Sequence, residues 1–211
     1  MGTERRPRSR FYDGRAYAAT LDRLLERLHQ LVADNVEPTR RVLDVGCGTG
    51  DLLRRLAPKA DEVVGIELSP AMVDFGNERL AESPLPGVSL VLGDVTTAFT
   101  DLPEDHFDLA TMVLVLHEMP TEAHLPVLSE VARVARQVLC VDFRAPMPWN
   151  QAGIRNRFFE IAAGIEHYRA FRAFQRVGGV PGAAREAGLV YELLRPVDAK
   201  TMEMGYVRRA I

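Results

Sequence analysis

Residues 42–53 read VLDVGCGTGDLL: an apolar run carrying one acid, three alternating glycines, then a second acid and a helix-forming stretch. Apolar, β-branched residues leading through a glycine turn into a helical pattern describe the strand–turn–helix that opens a doubly wound α/β fold. Glycine there admits left-handed backbone and lets a ligand approach the main chain closely. The dinucleotide fingerprint G-x-G-x-x-G would place its third glycine at position 51, where Asp51 stands; the glycines are Gly46, Gly48 and Gly50. The turn is therefore G-x-G-x-G, with Asp44 two residues before it.

Outward from this stretch, short apolar runs alternate with helical patterns. The runs are RVLDV (41–45), DEVVGI (61–66), VSLVLG (88–93), FDLATMVLV (107–115) and VLCVDF (138–143). Between them, Asp51 to Ala57 predicts a short helix stopped near Pro58, and Ser69 and Pro70 supply an N-cap and first-turn proline for a helix through about Leu80. LPVLSEVARVAR, after Pro120, is helical, with Pro126 expected in its first turn. Upstream, Leu21, Leu24, Leu25, Leu28, Leu31 and Val32 form one helical stripe that ends before Pro38. Strands alternating with helices imply right-handed crossovers and a mostly parallel sheet covered on both faces, a Rossmann-like α/β three-layer sandwich.

Residues 144–182 break the rhythm with aromatics and arginines and finish in GGVPG, so they read as a helical insert after the fifth strand. LVYELL (189–194) and MEMGYVRR (202–209) read as a closing pair of strands joined through Pro196. The 211 residues suit one domain: a tail and covering segment at 1–20, a cofactor-binding core at 41–143 and the substrate-facing insert at 144–182.

Composition narrows the function classes. With 47% hydrophobic and 26% charged residues the chain reads as soluble and globular; no apolar stretch suits a bilayer span, and MGTERRPRSR lacks the apolar core of a signal peptide. A cytoplasmic location is expected. The formal net charge of −3 gives no general attraction for nucleic acid, and Arg5, Arg6, Arg8 and Arg10 read as a solvated tail. Cys47 and Cys140 lack paired Cys/His spacing, so no disulfide and no metal are predicted and both read as buried fillers.

The acids decide the ligand. Asp44 stands two residues before the turn, Glu67 follows the second run and Asp94 the third, all at one carboxyl edge, and the turn holds no lysine or arginine. Such a pocket repels a pyrophosphate and favours a ligand with a cationic part, ribose hydroxyls and an adenine amino group. An acid about 20 residues beyond a glycine turn is placed to accept two ribose hydroxyls, which assigns Glu67.

In that order, VLDVGCGTG, VVGIELSP, LGDV and FDLATMVLVLHEMP, spanning roughly Val42 to Phe143, resemble the class I S-adenosylmethionine-dependent methyltransferases. With VDFRAP and EHYRAFRAFQRVGGVPGAAREAGL the chain looks like the small-molecule methylases grouped with ubiquinone and menaquinone biosynthesis. The resemblance implies a seven-stranded sheet with an antiparallel last strand. It also implies S-adenosylmethionine as cofactor and S-adenosylhomocysteine as product. Asp44, Gly46 and Gly48 would meet the methionine end, Glu67 the ribose, Leu68 and Met72 the adenine or ribose, Asp94 the adenine amino group, and Val95 the ring. The chain departs from the family at ARQ (135–137), where a KPGG-like turn is usual.

A methyl on sulfonium is already activated, so alignment and exclusion of water carry most of the catalysis. His117 and Glu118, just past the fourth strand, are expected nearest the methyl. His117 suits a general base or a positioning residue, the second being preferred; Glu118 suits a solvated acid. Phe11, Tyr12 and Tyr17 in the tail, with Trp149 and Tyr168 in the insert, are expected to wall a pocket for a small organic acceptor, aromatic or quinone-like. Phe158, Phe171 and Phe174 also fit a helix core face, and Phe159 joins the crowded insert. Arg144, Arg155, Arg157, Arg169 and Arg172 suit an acceptor carboxylate or phosphate, or a solvated face. His29, His106 and His124 read as surface residues and His167 as surface or structural.

Three other readings compete. A non-catalytic S-adenosylmethionine-binding module docking a protein partner would use the same acids. A nicotinamide oxidoreductase is disfavoured by the missing third glycine and the acidic pocket. Nucleic-acid methylation lacks the N-P-P-[YF] tetrad, HEMP standing in its place.

Overall fold

The computed structural model describes residues 23–198 and 200–210; Phe11, Tyr12, Tyr17 and Leu21 lie outside the described residues. In chain order the elements are α1 (Arg23–Asp34), β1 (Thr39–Val45), α2 (Asp51–Leu56), β2 (Ala60–Glu67), α3 (Pro70–Glu82), β3 (Val88–Leu92), α4 (Val95–Ala98), β4 (Leu109–Val113), α5 (Thr121–Val134) and β5 (Val138–Phe143). There follow α6 (Gln151–Ala163), α7 (Ile165–Val177), α8 (Gly179–Glu186), β6 (Leu189–Val197) and β7 (Met202–Arg209). One seven-stranded sheet runs in the order β3-β2-β1-β4-β5-β7-β6. The first five strands are parallel, and β7 pairs antiparallel with both β5 and β6. The predicted α/β architecture and antiparallel last strand are those observed.

Burial follows from the layers. Val42, Leu43, Asp44 and Val45 are all buried, as is every residue of β5, because helices cover both faces of the central strands. On α1 the buried stripe is Leu28, Val32 and Ala33, whereas Leu24 stands exposed. Among the described residues no helix is long and apolar enough to cross a membrane.

Four local expectations change. The fourth run, predicted as 107–115, is a strand only over Leu109–Val113. Leu114 adopts a left-handed φ of 58° while its N–H donates to the Val141 carbonyl at 2.8 Å, and a single 3-10 turn, Leu116–Glu118, follows. A bulky residue held there costs of the order of 1–2 kcal/mol, which the surrounding packing must offset. Pro126 sits in the second turn of α5, not the first. Pro196 lies inside β6, pairing opposite Glu203, and does not make the connection. This is tolerated because β6 is an edge strand, where a missing N–H goes unused. The insert's last helix, α8, runs past residue 182 to Glu186.

Candidate functional site

The order β3-β2-β1-β4-β5 reverses chain direction between β1 and β4, the place where open parallel sheets bind ligands beyond their carboxyl ends. The glycine turn sits there. Gly46, Gly48 and Gly50 have φ of 71°, 56° and 78°, all in the left-handed region. The Gly46 and Cys47 N–H groups donate to the Ile66 carbonyl at 2.8 and 3.2 Å, tying the turn to β2. A Cβ at Gly46 would fall 2.7 Å from Val115 Cγ2, so this position excludes a side chain on two counts.

The three acids follow. Asp44 is buried, and its Oδ1 accepts from Thr111 Oγ1 of β4 at 2.6 Å. Burial pushes its pKa up to about 7, against the opposing effects of the Thr111 bond and His29. Glu67 bridges two elements: Oε2 accepts from Gly48 N at 3.2 Å and Oε1 from Ser69 N at 2.8 Å, at the entry to α3. Asp94 caps α4, its Oδ1 accepting from Thr96 N and Thr96 Oγ1. Met72 and Val95 are buried and Leu68 half-buried beside these acids in the chain. Leu25, His29, Asp44, Cys47, Asp51 and Val113 help line a cleft at the turn, and among the described residues no lysine or arginine lines it. A buried carboxyl, exposed main chain and an all-acid strand edge fit a ligand with an ammonium or sulfonium group.

His29 departs from its expected surface position. Its Nδ1 lies 2.8 Å from Asp51 Oδ2, with only 13% of the side chain exposed, because α1 packs over the start of α2.

A second polar cluster lies under the insert. His117, in the 3-10 turn after β4, is buried, and its Nδ1 is 2.7 Å from Asp142 Oδ1 of β5. Asp142 Oδ2 accepts from the Leu116 and His117 N–H groups, and Oδ1 from Phe143 N, so one carboxylate holds the whole turn. The other ring nitrogen, Nε2, lies 3.9 Å from Glu160 Oε2 of α6, which is 2.8 Å from His167 Nε2 of α7. Burial alone would push the His117 pKa down; the charge and hydrogen bond of Asp142, then Glu160 and Glu118, outweigh it and hold it at about 9. Phe143, Phe174 and His167 meet the His117 ring edge to face.

The remaining expectations divide. Phe171 and Phe174 are core residues, as the helix-face reading has them, but Phe158 is 73% exposed and Phe159 also faces outward. Trp149, expected in a pocket wall, is 80% exposed and lies under the Arg157 guanidinium, 4.0 Å from its ring centre. Tyr168 stacks on Phe171 and carries Arg172 at 5.9 Å. Arg157 donates to the Met147 and Pro148 carbonyls and Arg155 pairs with Asp198, so both are engaged locally. Arg144, Arg169 and Arg172 are exposed. His124 is buried, contrary to its surface reading, with Nε2 2.9 Å from the Leu116 carbonyl; α5 turns it inward against Phe174. His106 is half-buried against Phe107, and Glu118 is exposed. Cys47 and Cys140 are buried free thiols.

Three functional candidates were not singled out from the sequence: Thr111, Asp142 and Glu160. Asp142 had a usable signal, since VLCVDF carries a lone acid in an apolar strand just as VLDV does. Glu160 had none; it is one acid on a mixed helix.

Comparison with known proteins agrees with this geometry. Residues 42–145 match the methyltransferase domain family model. A demethylmenaquinone methyltransferase of Bacillus velezensis is 31% identical over 133 residues, 59% of this chain and 53% of the relative, so the alignment spans about half of that relative's length. Among solved structures, the mitomycin 7-O-methyltransferase MmcR superposes with a TM-score of 0.71 at 15% identity, covering 93% of this chain and 57% of that one. A SAM-dependent methyltransferase from Aquifex aeolicus gives 0.58 at 19% identity, covering 95% and 93%.

Proposed function

We propose that the chain, whose residues 42–145 match the methyltransferase domain model, is a class I S-adenosylmethionine-dependent methyltransferase that transfers the cofactor's methyl group to a small organic acceptor, releasing S-adenosylhomocysteine. The observation that carries this reading is the row of acids at the ends of β1, β2 and β3 beside a glycine turn, with Asp44 buried and its pKa lifted. A carboxyl in that state gains most from a cationic neighbour, because the cation restores the charge that burial disfavours.

Asp44 and the Gly46 and Gly48 main chain would receive the methionine end, Glu67 the ribose hydroxyls, and Asp94 the adenine amino group. Leu68, Met72 and Val95 would supply the apolar contacts. The cofactor supplies a methyl already activated on sulfonium; the chain's part is to bind, orient and keep water out. His117 acts as a positioning residue in this reading. Its pKa, held at about 9 by Asp142 against the effect of burial, favours hydrogen-bond donation over proton abstraction from the acceptor.

The acceptor is read as aromatic or quinone-like, supported by the demethylmenaquinone methyltransferase relatives and by the aromatic cluster Phe143, Phe171 and Tyr168 near the 3-10 turn. Calorimetric titration with S-adenosylmethionine, S-adenosylhomocysteine and NAD tests the cofactor, with Asp94→Ala as the site control. Binding of the first two, weakened by the substitution, supports the reading; preference for NAD or no binding ends it. Release of S-adenosylhomocysteine in a screen of phenols and quinols then tests the acceptor.

A further inference from the structure

We propose that His117, Glu160 and His167 form a binding site for one divalent transition-metal ion at the seam between the sheet's carboxyl edge and helices α6 and α7. Their donor atoms, His117 Nε2, Glu160 Oε2 and His167 Nε2, all lie within 4.8 Å of one another. Glu160 Oε2 stands 2.8 Å from one imidazole nitrogen and 3.9 Å from the other. Atoms about 2.0–2.2 Å from a common ion stand roughly 3.3–3.5 Å apart in a tetrahedral site, so small side-chain shifts suffice.

Three independent features support a ligand at this point. Glu160 Oε2 is buried and, among the described residues, no group makes a hydrogen bond to it, although His167 Nε2 lies 2.8 Å away. A buried carboxylate oxygen without a donor is costly unless something else meets it. The opposite nitrogen of His117 is held by Asp142, which makes Nδ1 the donor and turns the Nε2 lone pair toward the triangle, the carboxylate–histidine–metal arrangement. Charge balances too: Asp142 and Glu160 are two buried carboxylates, and a divalent ion on two neutral imidazoles offsets both.

The donor set names the metal class. Two imidazoles and one carboxylate suit zinc, iron(II) or cobalt(II), not magnesium or calcium, which want oxygen ligands. Three protein ligands leave a coordination position open, and His167, 16% exposed, marks the side nearest solvent. That open position would accept water or an acceptor oxygen. The acceptor role rests on the methyl-transfer reading; metal binding itself does not.

The test uses the full, tag-free chain, stripped with chelator and titrated with Zn²⁺ and with Co²⁺ by equilibrium dialysis, metal counting and visible spectroscopy. One equivalent per chain is expected, with cobalt d–d bands. His167→Ala, on a partly exposed position that should not disturb folding, is expected to weaken binding at least tenfold, and Asp142→Asn about 10–100-fold through the ligand it orients. His106→Ala, outside the cluster, should change nothing. Absence of stoichiometric binding, or binding unaffected by His167→Ala in a chain whose circular dichroism is unchanged, overturns the site. S-adenosylmethionine binding measured on the same samples separates the two readings. Cofactor bound without metal removes only the metal site, and metal bound without cofactor removes only methyl transfer.

Discussion

The two halves of the site solve the problem of buried charge in opposite ways. At the ends of β1 to β3 the described lining of the cleft carries acids and His29 but no lysine or arginine, so the charge there is open to a ligand. Under the insert, Asp142 is met by the His117 ring and three backbone N–H groups, so its charge is largely compensated from within. An acidic edge facing a cleft makes a site that binds a cation at some expense to stability; a carboxylate hydrogen-bonded on all sides ties elements together. The first half should be sensitive in binding and the second in folding.

The largest expected effect tests the second half. Asp142→Ala removes the nearest carboxylate from the buried His117 ring and the acceptor for three backbone N–H groups. Loss of one partner of a buried pair costs about 3–5 kcal/mol, read by urea unfolding. A loss below about 1 kcal/mol would mean that the cluster does not hold the turn.

Asp44→Asn probes the first half through pH. Because the folded pKa of Asp44 is raised to about 7, the native chain keeps a proton that the unfolded chain releases near 4. Parent stability should therefore fall as pH rises from about 4 to about 7 and level off above it. The amide variant lacks that slope. At pH 8, without cofactor, it should be more stable than the parent by up to about 4 kcal/mol, yet bind S-adenosylmethionine more weakly. In the parent, cofactor affinity should rise with pH toward 7. Equal slopes in the two proteins would show that Asp44 titrates normally.

Glu67→Ala should weaken S-adenosylmethionine by about 1.5–3 kcal/mol in calorimetry, at least tenfold, through lost charge-assisted bonds to the ribose. It also frees Gly48 N and Ser69 N, so unfolding should be measured alongside. The smallest effect is Trp149→Ala. At 80% exposure and held chiefly by Arg157, it should change stability by less than about 0.5 kcal/mol and leave cofactor affinity unaltered. A large fall in turnover alone would restore the acceptor-wall role that the sequence suggested.

The same contrast explains what could be read in advance. Asp44 and Glu67 stand at the carboxyl ends of β1 and β2 and Asp94 two residues past β3, and parallel strands bring such positions to one edge without further information. His117 was visible because it too follows a strand. His124 and His29 were misplaced for a different reason: each lies on a helix whose polar look is local, while its burial depends on what packs above it. Phe158 failed the other way, an aromatic at helical spacing on a face that α6 turns outward.

By itself the sequence determined the alternation of strand and helix, the glycine turn and the acidic edge, since these depend on period, turn chemistry and charge within a few residues of each strand end. Only the tertiary structure decided the meeting of His117, Asp142, Glu160 and His167. Those four come from a 3-10 turn, a strand and two helices up to 50 residues apart, and no local pattern carries a distance set by how helices pack over a sheet.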